Sequence, residues 1–227
     1  TRAGYECIYG DITRAATISG IAEQILEEAP EQFALVGLSM GGIVALEIMR
    51  RASERVTHLA LLNTTAAADA KQQMRKSQLC RVAEGQLNDV LREELKPEYL
   101  APANRSAELL KTVTDMGERL GEDVFARQSI ALMGRKASTD LLPGITCPTL
   151  VLTGRDDSLC TPAIHKEMAD AIPDSTLVIL SNCGHLSTLE RPTAVINALL
   201  DLLQVKAEKN HDARARGKHL RLVANND

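Results

Sequence analysis

The sequence predicts an α/β protein: a mostly parallel β-sheet covered by helices, interrupted by a helical insertion. Three observations carry this. Runs such as "FALVGL", "RVTHLALLN" and "PTLVLTG" are apolar at consecutive positions, as strands buried on both faces must be. Segments between them place apolar residues three and four apart, the period of an amphipathic helix. Residues 65–142 break the alternation with charge-rich helical pieces and no convincing strand.

The elements follow in order. "YECIYG", Tyr5 to Gly10, reads as a short strand. The next segment sets Ile18, Ile21, Ala22, Ile25 and Leu26 at helical spacing, and Pro30 stops it. A strand at Phe33 to Leu38 runs into a helix that carries Val44, Leu46, Ile48 and Met49. The strand "RVTHLALLN", Arg55 to Asn63, comes next. After the insertion, "PTLVLTG" and "DSTLVIL" are two further strands and "TAVINALLDLLQVKAE" is a closing amphipathic helix. Residues 1–64 and 143–204 therefore form the sheet domain. Residues 205–227 alternate charges without an apolar face and read as a flexible tail.

Composition narrows the function. The 227 residues are 44% hydrophobic, enough for one domain with a sizeable core. A net charge of -4 gives no reason to expect nucleic acid or an anionic membrane as partner. No apolar run approaches the roughly 20 residues that span a bilayer. Five cysteines, an odd number without a CxxC pair, suggest neither a disulfide framework nor a zinc site. They read as small apolar residues of a reducing, cytoplasmic compartment. Nothing points to a cofactor or a metal.

The chemistry gathers at Gly37-Leu38-Ser39-Met40-Gly41-Gly42. A strand that reverses straight into a helix pinches the chain at one residue and thrusts its side chain above the sheet edge. Small neighbours are needed on both sides, and Gly37 and Gly41 supply them. Gly42 lets the helix approach the next strand. The backbone N–H of Met40, at the start of the helix, points where an oxyanion would form. A serine hydroxyl is a weak nucleophile without a base, so a carboxylate and a histidine should follow. Asp156 and Asp157 stand just beyond one strand, and His185 lies in the loop after the next. Active sites of parallel sheets collect at that edge. His58, His165, His211 and His219 have structural or solvated readings, and Glu190, an alternative acid close after His185, reads in preference as a cap of the final helix.

Through "GLSMGG", "CPTLVLTGRDDSLCTP" and "NCGHLSTLERP", the chain resembles the α/β-hydrolase superfamily, in particular small bacterial serine hydrolases of the 3-oxoadipate enol-lactonase type. The resemblance spans about Tyr5 to Leu203. It implies that the acid stands three residues after the strand-ending Gly154, which favours Asp157, and that residues 65–142 form a cap over the pocket. Relatives that displace halide or open epoxides carry Asp at the elbow, so Ser39 implies acyl transfer to water. The implied substrates are small esters, lactones or thioesters. With three Tyr, two Phe and no Trp the pocket is not expected to be lined by aromatics, and Met74, Met116 and Met133 read either as residues shaping it or, at helical spacing, as plain core. The family's sheet has strands before Tyr5 and one between the Tyr5 and Phe33 strands. A glycine-rich loop there gives a second oxyanion N–H, and no such motif precedes Ser39. The expected fold is thus N-terminally incomplete, with open edges at the Tyr5 and Phe33 strands. The alternative function is a truncated or vestigial hydrolase-fold protein that binds a small ligand without efficient turnover.

Overall fold

The structure is a computed structural model that describes residues 4–204 and 219–223. Thr17 opens helix α1 (Ile18–Glu28), its hydroxyl accepting the Gly20 N–H at 3.0 Å. Strand β1 (Phe33–Leu38) turns at Ser39 into α2 (Met40–Ala52), and β2 (Val56–Leu62) follows. Residues 65–142 then hold α3 (Gln72–Ala83), the short α4 (Leu87–Asp89), a π-helix (Val90–Leu95) and α5 (Ala107–Met133), with no strand among them. Helix α5 is broken at Gly121, whose φ of 78° lies in the left-handed region that glycine tolerates. The chain returns as β3 (Thr149–Gly154), α6 (Pro162–Ala171), β4 (Ser175–Leu180), α7 (Ser187–Glu190), α8 (Pro192–Gln204) and β5 (His219–Val223).

The described strands form one parallel sheet in the order β1-β2-β3-β4-β5. Side-chain alternation divides its central strands between two cores. Leu59, Leu61, Val151 and Leu177 pack on one face with Ile21, Val44, Leu46 and Ile48 of α1 and α2, and with Met168 and Ile172 on the α6 side. Ala60, Leu62, Leu150, Leu152, Val178 and Leu180 pack on the other with Val195 and Leu202 of α8. Burying one such Leu or Ile side chain contributes about 1.5–3 kcal/mol. Every residue of β3 is buried, which explains its unbroken apolar run.

Two sequence expectations change. Tyr5 to Gly10 is not a strand: the stretch is exposed throughout, Tyr9 at 91%, and lies outside the sheet order. A strand needs a neighbour for its backbone N–H and C=O groups, and a short run of strand-forming residues says nothing about whether one is there. The flexible-tail expectation falls largely on residues 205–218 and 224–227, outside the described residues. Within it, His219–Val223 is a strand paired in parallel with β4. Strand β1 pairs with β2 and stands at the end of the sheet order, with Val36 half exposed. No helix among the described residues is long and apolar enough to cross a membrane.

Candidate active site

The last rungs of the sheet ladder hold the turn residues. The Ser39 N–H donates to the Leu62 carbonyl at 2.9 Å, and the Asn63 N–H donates to that of Leu152 at 2.8 Å. Ser39 has φ 52° and ψ -117°, a strained backbone for a residue with a Cβ. Such strain costs about 1–3 kcal/mol and persists only where the surroundings enforce it. Gly37 helps enforce it: a Cβ there would lie 2.3 Å from the Gly41 carbonyl oxygen. At Gly42 a Cβ would lie 2.6 Å from the Thr64 side chain, so α2 does approach the end of β2 as its sequence suggests. Gly41 differs from expectation, because a Cβ there would meet nothing within 4 Å. Its backbone, rather than its missing side chain, is what crowds Gly37. Met40 is the first residue of α2, so its N–H has no intrahelical acceptor.

The acid loop is pinned in a similar way. A Cβ on Gly154 would come within 2.1 Å of the Cys183 carbonyl oxygen, so the acid and histidine loops touch through backbone. Asp156 is exposed, whereas Asp157 is buried. The Asp157 carboxylate accepts the N–H groups of Leu159 and Cys160, both at 2.9 Å, and the Asn63 amide at 3.0 Å. It also meets His185 Nδ1 at 2.9 Å. Burial alone would raise its pKa, but the His185 contact and these donors hold it below the ordinary carboxylate value. His185 is buried, and its Nε2 lies 2.8 Å from Ser39 Oγ. A carboxylate on Nδ1 requires a proton there, so in the neutral ring Nε2 accepts from the serine hydroxyl. Ser39, His185 and Asp157 are thus brought into one hydrogen-bonded chain, while Asp156, His58 and Glu190 stay out of it.

Several contributors escaped the sequence reading. Asn63, at φ 46°, uses both amide hydrogens, one on Asp157 and one on the Gly184 carbonyl at 3.1 Å. Thr64 donates its hydroxyl to the Ser39 carbonyl at 2.7 Å. The Thr64 N–H donates to His165 Nε2 at 3.0 Å, and His165 Nδ1 donates to the Thr161 carbonyl at 3.0 Å. His165 is fully buried, and burial pushes its pKa down, so it serves as a neutral strut. Glu190 caps nothing in α8. It accepts from Gly184 N–H at 2.9 Å, and from Ala101 N–H and the Asn104 amide at 2.8 Å each, tying the histidine loop to the insertion. The one legible hint was Asn63-Thr64 at a strand's end, since asparagine is the usual non-glycine residue at positive φ.

Burial pushes the Cys160 and Cys183 thiols up to about 12, leaving them inert, and all five cysteines are free. No cluster able to hold a metal occurs among the described residues. A cavity of about 310 Å³ opens on the insertion between Pro97, Leu110 and Thr114, lined by none of Ser39, Asp157 and His185.

Known proteins agree with this architecture. The Alpha/beta hydrolase family matches residues 4–198. A Mycobacterium tuberculosis protein named for a non-heme bromoperoxidase, BpoC, is 30% identical over 230 residues, covering 87% of this chain and 82% of its own. A thermophilic esterase from Thermogutta terrifontis superposes with a TM-score of 0.78 at 29% identity, over 85% of this chain and 74% of its own. The enol-lactonase of Burkholderia xenovorans LB400 shares the fold at a TM-score of 0.77 and 23% identity, over 86% of this chain and 76% of its own. With family, sequence relative and superposed folds in accord, the chain belongs to the alpha/beta hydrolase family.

Proposed function

We propose that the protein is a serine hydrolase that cleaves a small carboxylic ester, lactone or thioester through an acyl-enzyme. One observation carries the reading: the unbroken hydrogen-bonded chain from Ser39 Oγ through His185 to a buried, ionised Asp157. In this reading His185 Nε2 takes the Ser39 proton as Oγ attacks the carbonyl carbon. Asp157 holds the imidazole in the accepting tautomer and stabilises the imidazolium. The Met40 N–H donates to the oxyanion, and the helix terminus adds favourable potential. The imidazolium then protonates the departing alkoxide or thiolate, and water repeats the sequence on the acyl-enzyme. Residues 65–142 act as a cap that shapes the acyl site. A structural neighbour described as an esterase, at 29% identity, supports the substrate class.

Turnover of a p-nitrophenyl ester tests the assignment. Ser39→Ala abolishes it, and Asp157→Asn lowers kcat by about 10⁴ if the triad behaves as others do. Asp156→Asn, at an exposed site, costs little. Equal losses at the two aspartates would refute the role given to Asp157.

A further inference from the structure

Residues 181–186, between β4 and α7, belong to no helix or strand, so contacts from other elements set where His185 stands. The loop leaves the sheet through Asn182, whose φ of 50° lies in the left-handed region. Strain of that kind persists only where the surroundings over-determine it. The Asn182 carbonyl accepts from the Asn104 amide at 2.8 Å and from Arg191 Nε at 3.2 Å. The Cys183 carbonyl accepts the Asp156 N–H at 2.9 Å, and the Gly184 carbonyl accepts the Asn63 amide. The His185 N–H donates to the Tyr99 carbonyl at 3.0 Å.

Glu190 closes this frame. It is the last residue of α7, and its carboxylate turns back onto the loop. Oε1 accepts the Gly184 N–H at 2.9 Å, while Oε2 accepts the Ala101 N–H and the Asn104 amide at 2.8 Å each. All three donors are neutral amides, and hydrogen bonds to an ionised carboxylate are about twice as strong as neutral ones. Gly184 lets the loop lie this close to the insertion. A Cβ there would stand 2.4 Å from the Ala101 nitrogen and 3.0 Å from Glu190 Oε1. One carboxylate therefore fastens the peptide that precedes His185 to the insertion beside it.

We propose that Glu190 is a positioning residue for His185: it clamps the histidine loop to residues 101–104 of the insertion and so keeps Nε2 within reach of Ser39 Oγ, 2.8 Å away. The inference rests on the hydrolase reading, in which His185 is the base. It gives the insertion a part in the chemistry, because the seat of residues 101–104 then bears on kcat and not on substrate choice alone. Misplacing a catalytic group by about 1 Å costs on the order of 10² in rate.

Glu190→Gln tests the clamp. Both carboxylate oxygens receive N–H donors, so an amide sets its own NH2 against a donor whichever way it is turned. With p-nitrophenyl acetate the variant loses roughly 10- to 100-fold in kcat at nearly unchanged KM. The readout that separates positioning from support of the fold is a double-mutant cycle with the base. In a His185→Ala background, Glu190→Gln no longer changes the residual rate at which a fluorophosphonate labels Ser39. A kcat loss of about twofold or less, or equal slowing of labelling with and without His185, overturns the proposal. If Glu190→Gln does not fold, Asn104→Ala carries the same cycle. It removes one donor from a half-buried residue and costs roughly 3- to 10-fold in kcat. If wild type neither cleaves the ester nor takes the probe, the hydrolase reading fails on its own account, and proton NMR decides the clamp. The downfield Nδ1 proton of His185, absent in His185→Ala, is visible in wild type and broadened away in Glu190→Gln. A resonance missing from wild type, or unchanged in the variant, overturns the clamp.

Discussion

Asn63 does the work of a joint. One amide hydrogen goes to Asp157 and the other to the carbonyl of Gly184, next to His185, while its Oδ1 is buried without a protein partner. An orphaned buried acceptor costs about 1–3 kcal/mol. The site is therefore not optimised for stability alone, and a near-isosteric apolar residue would remove both the cost and the two anchors. Asn63→Leu is expected to lower the unfolding free energy by about 1–3 kcal/mol, because leucine is strained at φ 46° and the buried Asp157 carboxylate and Gly184 carbonyl each lose a donor. It lowers kcat roughly 10- to 100-fold with KM nearly fixed, since it acts on the alignment of acid and base. Denaturant unfolding and ester kinetics on the same sample check both halves. A loss confined to KM would place Asn63 in substrate binding instead. Residues of this kind are hard to read from sequence. Ser39 and His185 stand at strand ends within recognisable spacing. Asn63 and His165 are single polar residues whose partners lie 94 and 101 positions away.

At the level of elements, the turn from β1 to α2 depends on how closely α2 approaches the end of β2. Gly42 faces Thr64, and the Thr64 hydroxyl holds the Ser39 carbonyl. Gly42→Val would drive two methyl groups into that contact, with a Cβ already 2.6 Å from Thr64 atoms. Overpacking of this sort costs about 1–3 kcal/mol. The expected result is a destabilised protein whose Ser39 reacts slowly with a fluorophosphonate. Gly41→Ala, where a Cβ meets open space, is expected to be far milder on both measures. Similar losses for the two variants would contradict the packing argument. Here the sequence was informative and incomplete. The pair of glycines signalled a tight strand-to-helix turn, but which of the two is sterically required depends on Thr64. The reading of Tyr5 to Gly10 as a strand failed for a related reason: apolar runs do not reveal their neighbours. The four strands from Phe33 to Leu180 were legible because, apart from the end strand β1, they are largely buried, and such burial leaves a continuous apolar signature.

For the whole molecule, buried titratable groups predict sensitivity to acid. Burial depresses His165 below its ordinary value of 6.5. Above that pH it is neutral in both folded and unfolded chains. Below it, the unfolded chain takes up a proton that the folded chain resists, so stability falls. Asp157 acts in the same direction at lower pH. Its lowered pKa gives stability that is present above 3.8 and lost as pH falls through the folded value. Urea unfolding from pH 7 to 5 is expected to show a declining midpoint, and His165→Gln should flatten that decline while lowering stability at pH 7. An unchanged slope would assign the acid limb to other groups. The same two residues brace the sheet's C-terminal edge, so loss of ester turnover should accompany loss of stability as the pH drops.

The central claim is that Ser39 is the activated nucleophile of this edge. The most direct measurement is covalent: incubate the protein with a fluorophosphonate, digest it, and locate the adduct by mass spectrometry. The account predicts a single stoichiometric adduct on Ser39, abolished in Ser39→Ala and strongly slowed in His185→Ala. An unlabelled Ser39, or an adduct that forms equally fast without His185, would contradict it.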